Sequence, residues 1–115
     1  MHDKCNLFER HCVPCKGGVP PMPHDEITAY LHHLSPDWTL ADGKRAQHIE
    51  RKFRFPNFKA ALHFVNRVGA IAEHENHHPD ITFGWGYVTV RMYTHKINGL
   101  TENDFILAAK CDALK

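Results

Sequence analysis

No apolar run in this chain approaches the ~20 residues that a membrane-spanning helix needs. The opening stretch MHDKCNLFERHC also lacks the apolar segment of a secretory signal, so the expected location is the cytoplasm. Charge of one sign is missing too. The net charge is +1 with histidine neutral, and Lys/Arg alternate with Asp/Glu along the chain. No basic stripe runs along it to track phosphates, which argues against a nucleic-acid partner. Cysteine is sparse, at four residues. In a reducing compartment these stay thiols, which sets a disulfide framework aside. Cys12 and Cys15 have metal-ligand spacing, and Cys5 and His11 lie near them. A second CxxC is missing, however, and a structural zinc site takes four ligands. Metal held by Cys5, His11, Cys12 and Cys15 stays open as an alternative to a tail with free thiols.

What is abundant is histidine, with 11 residues in 115. Near neutral pH this is the side chain that most readily gives and takes protons. The stretch EHENHHPD, Glu73 to Asp80, holds three histidines and three acids just around a proline. Hydrophobic content of 43% is ordinary for a globular chain, and the length suits one core.

Residues 1–23 end in KGGVPPMP and read as a flexible Cys/Pro/Gly-containing tail that adds little to the core. Residues 24–115 form the domain. HDEITAYLHHL carries Ile27, Tyr30, Leu31 and Leu34 at helical spacing, with Asp25 placed to cap and Ser35-Pro36 to stop. DWTLADGKRAQHIERKFRF reads as a hairpin turning at DGK, with Ile49, Arg51, Phe53 and Phe55 on one side. NFKAALHFVNRVGAIAEHE is the strongest helix. Asn57 is its N-cap, and Phe58, Ala61, Leu62, Val65, Val68 and Ala72 make its apolar stripe. It must end near His74–Asn76, ahead of Pro79. A second hairpin turns at Gly84–Gly86 and points Val88, Val90 and Met92 at the core. Thr101, with Asp104 three residues on, opens the last helix in a near capping box. Phe105, Ile106, Ala109, Cys111 and Leu114 are its apolar residues. The order α-β-β-α-β-β-α predicts an α+β, two-layer sandwich: a four-stranded antiparallel sheet with three helices on one face.

Glu73, His77, His78, Pro79, Trp85, His95 and Asp104 stand in the order and spacing of a known signature. With DWTL, FKAALHFVNRV and the last helix, residues 24–115 resemble the pterin-4a-carbinolamine dehydratase family; the CxxC and following GG and PP look like its bacterial members. The resemblance implies a hydro-lyase that converts 4a-hydroxytetrahydropterin to quinonoid dihydropterin and so recycles the cofactor of aromatic amino acid hydroxylation. Dehydration moves protons and no electrons, so it calls for no cofactor and no metal. An acid must protonate the leaving hydroxyl and a base must take a ring-nitrogen proton.

The resemblance makes His77, His78 and His95 the catalytic residues and Glu73, Asp104 and Trp38 the substrate contacts. Each has a plainer alternative. His77 and His78 suit a solvated helix end, Glu73 an exposed helix face, Asp104 the capping box, and Trp38 an ordinary core. Reaching one pocket with two adjacent histidines demands a turn at the helix end. Glu73, one helical turn before His77, is placed to hold that imidazole. The resemblance also implies a homodimer or homotetramer and a functional link to an aromatic amino acid hydroxylase. A coactivator role like that of animal members is not implied, and the competing classes are a same-fold interaction protein and a metal-binding module.

Overall fold

A computed structural model describes residues 7, 9–13, 20–42 and 47–115. The elements are α1 (His24–Leu31), β1 (Thr39–Asp42), β2 (Gln47–Arg54), α2 (Phe58–Glu75), β3 (Asp80–Gly84), β4 (Tyr87–Met92) and α3 (Glu102–Leu114). The strands form one sheet in the order β1-β2-β4-β3, antiparallel at every step. The α+β sandwich therefore stands as expected. Residues 43–46, which hold most of the DGK turn, lie outside the described residues.

Register explains which face is buried. Ile49 sits opposite Met92, Arg51 opposite Val90 and Phe53 opposite Val88. Opposed residues in antiparallel strands share a face, so the period-two pattern of both strands feeds one surface. Ile49, Val88, Val90 and Met92 are fully buried there, with Phe53 beside them. Arg51 shares this inner face. Its Nη1 donates to Asp112 at 2.6 Å and its guanidinium lies 4.2 Å over the Phe53 ring. Glu50, Lys52, Thr89 and Arg91 occupy the outer face, away from the helices.

In α2 the Asn57 side chain accepts the Ala60 N–H at 2.8 Å, the expected N-cap. The buried stripe is Ala61, Phe64, Val68, Ala72 and Glu75. The apolar face is thus rotated from the expected one: Phe58 and Leu62 are among the exposed large hydrophobics, and Phe64 takes their place. In α1 the N-cap is Pro23, with no side-chain bond; Asp25 falls in the first turn instead. The helix also stops at Leu31, before Ser35-Pro36. In α3 the capping box between Thr101 and Asp104 is complete. Phe105, Ile106, Leu107, Ala108 and Cys111 are all buried, Phe105 stacked on Tyr30 of α1.

A further expectation fails at Leu7. Leu7, in the segment read as adding little to the core, is 1% exposed and packs into it. The neighbouring residues are tied down by polar bonds. Arg10 Nη1 donates to Glu102 Oε1 at 2.9 Å, and Val13 exchanges bonds of 3.0 and 2.7 Å with the Asn103 side chain. Leu7 and residues 9–13 form an arm that meets the start of α3 and the end of α2.

Candidate active site

α2 ends at Asn76, whose φ of 53° and ψ of 40° are left-handed. Asparagine tolerates that conformation better than most residues. The His77 N–H folds back to the Ala72 carbonyl at 3.2 Å. This is the turn that lets adjacent His77 and His78 line the same cavity. His95, which follows β4, lines it too, along with Asn76, Thr94 and Lys96. Val13 from the arm and Asn103 from α3 complete the wall, and the volume is about 370 Å³. That lies within the ~300–1,000 Å³ of small-molecule sites.

Each histidine has a carboxylate. His77 is the most sheltered, and its Nε2 lies 2.7 Å from Oδ1 of Asp104, a fully buried residue. The other oxygen, Oδ2, accepts from the Thr94 hydroxyl and the Thr101 N–H, both at 2.9 Å. With Asp104 an acceptor throughout, His77 donates from Nε2 and its Nδ1 is not part of this pair. His78 Nε2 is hydrogen-bonded to Oε2 of Glu73, a pair open to solvent. His95 Nε2 stands 4.0 Å from Asp80 Oδ1, and its ring leans on Tyr93 with centroids 4.3 Å apart.

Some of the candidate residues sit elsewhere. Glu73 holds His78 and not His77, because the left-handed turn carries His77 inward to Asp104. Trp38 is not brought to the cavity. It is 5% exposed, and its indole N–H donates to Asp112 Oδ1 at 2.8 Å. Trp85 projects from the β3–β4 turn at 72% exposure. Val13, Asn103, Thr94 and Lys96 were missed. Asn103 and Thr94 flank residues already singled out, but nothing local marked Val13.

A family model described as pterin 4 alpha carbinolamine dehydratase matches residues 20–114. The chain belongs to that family. Membership marks it as an enzyme of the dehydratase class, in agreement with the resemblance seen in the signature residues. Two bacterial proteins provisionally named pterin-4-alpha-carbinolamine dehydratase are similar over nearly their whole lengths. The one from Rubrobacter xylanophilus is 55% identical, with 94% of this chain and 97% of the relative covered. The one from Methylococcus capsulatus is 52% identical, covering 97% and 96%. Among solved structures, a transcriptional coactivator/pterin dehydratase from Brucella melitensis superposes with a TM-score of 0.74 at 32% identity, covering 82% of this chain and 97% of the other. A pterin dehydratase-like protein identified as a RuBisCO assembly factor in the alpha-carboxysome shares the dehydratase fold at a TM-score of 0.57 and 26% identity, covering 68% and 88%. No helix among the described residues is long and apolar enough to cross a membrane.

Proposed function

We propose that this protein dehydrates a 4a-hydroxytetrahydropterin to the quinonoid dihydropterin with His77, His78 and His95 as its proton-transfer groups. One observation carries the reading: three histidines from two chain segments line a single cavity in a member of this family. In the reaction the 4a-hydroxyl takes a proton and leaves as water, while a ring nitrogen gives one up. Imidazoles titrate near neutral pH and suit both transfers, each contributing typically ~10²–10⁴-fold. Asp104 is a positioning residue in this scheme, fixing the His77 tautomer so that Nδ1 is the atom free to exchange a proton. Glu73 does the same for His78 from the solvent side. The substrate is of the kind left by aromatic amino acid hydroxylation, so the protein would serve such a hydroxylase in the cytoplasm, as a homo-oligomer.

The test supplies chemically generated 4a-hydroxytetrahydropterin and follows the ultraviolet spectrum of the product. His77→Ala and His78→Ala should each lower turnover by about two orders of magnitude. Circular dichroism should stay native, since neither ring is part of the apolar core. Near-full activity in both variants would sink the assignment. Inactivity of the wild-type chain would favour an interaction protein on the same fold.

A further inference from the structure

We propose that His11, His74 and Glu75 form a binding site for a divalent transition metal, zinc fitting best, which clips the arm to the end of α2. The three side chains each offer a ligand atom, and these atoms lie within 4.8 Å of one another. The donor set, two imidazoles and a carboxylate, is a common zinc combination with one position left for solvent. Around a tetrahedral zinc with bonds of ~2.0–2.1 Å, ligand atoms stand about 3.3 Å apart. The required closure is within reach, because His11 and His74 are exposed and their rings can swing. Glu75 supplies the fixed point. It is 7% exposed, and its Oε1 is held by the Cys12 N–H at 2.6 Å.

The site is separate from the histidine cavity and takes no part in dehydration. Its residues, with Lys110, line a second hollow of about 490 Å³ that shares no lining residue with the first. His11 Nδ1 lies 2.8 Å from Glu75 Oε2, and its ring centroid is 6.1 Å from that of His74. Burial pushes the Glu75 carboxyl up, but the Cys12 N–H, His11 and Lys110 together outweigh it and hold it below its ordinary value. Cys12 is no rival ligand. Its Sγ is turned toward the Asn103 carbonyl at 3.6 Å. Lys110 does compete, since its Nζ lies 3.9 Å from the same Glu75 oxygen that a metal would use.

Zinc would be titrated into the full-length protein against a chromophoric chelator. One equivalent should bind with micromolar or tighter affinity. His11→Ala and His74→Ala should each weaken it at least tenfold, and Lys110→Met should tighten it several-fold. Cys5→Ser/Cys15→Ser should leave it unchanged. Both histidines are exposed, so their loss does not threaten folding. No zinc binding overturns the proposal, as does affinity that survives His74→Ala. Loss of binding in the serine pair also overturns it, because the metal would then belong to the tail thiols.

Discussion

At the scale of single residues, Asp104 joins folding to chemistry. One oxygen completes the α3 capping box and the other orients His77. Asp104→Asn keeps the shape but adds an N–H donor where only acceptors fit. It should cost about 1–3 kcal/mol in chemical denaturation. Turnover should fall at least tenfold, with the pH–rate profile displaced; a merely structural role would leave that profile in place. Glu75 behaves differently. Its carboxyl is held below the ordinary value, so its contribution to stability is complete above the unfolded-state pKa, 4.5, and is lost as pH falls through the lower folded-state value. The melting-temperature gap between wild type and Glu75→Gln should therefore shrink as pH falls below about 4.5. A gap that widened in acid would contradict this. The histidine cluster was legible in the sequence because its residues are adjacent and their chemistry is unusual. The partner of each was not: Asp104 lies 27 residues from His77, and only the turn at Asn76 decides which carboxylate each ring meets.

At the scale of elements, period-two and helical patterns sufficed wherever an element has one buried face. Val88, Val90 and Met92 alternate with polar residues, and that pattern admits only one inner face. The phase of α2 was less determinate. Phe58, Leu62 and Phe64 all fall near one broad apolar arc, and the packing of Phe64 against Phe53 at 4.5 Å between centroids sets the rotation. The arm was illegible for another reason. Leu7 belongs to no periodic pattern, Val13 is held through its backbone, and the arm's polar partners lie 63 to 92 residues away. A disposable tail would leave both stability and activity untouched when removed. The packing argues otherwise. Deleting residues 1–13 should cost about 2–4 kcal/mol, from Leu7 burial and the orphaned Glu75 and Asn103 side chains. Because Val13 walls the cavity, KM should rise several-fold while kcat falls by less, measured by steady-state kinetics on the pterin substrate. Full activity with unchanged stability would restore the tail reading.

At the scale of the whole molecule, among the described residues the helices cover one face of the sheet and leave the other, with its two edge strands β1 and β3, uncovered. Uncovered edges invite pairing between copies. Light scattering at micromolar concentration should accordingly report a dimer or tetramer, and a 13.2 kDa species alone would contradict it. The outer face is charged, with Glu50, Lys52 and Arg91 on its central strands, so an assembly built on it should loosen as salt rises. Within one copy, the arm has a consequence for biosynthesis. Arg10 and Val13 leave the ribosome long before Glu102 and Asn103, their partners 92 and 90 residues later. The arm has to wait for α3, and a nascent chain lacking that helix has an open-walled cavity. A fusion joined directly ahead of the arm would load the segment that docks last.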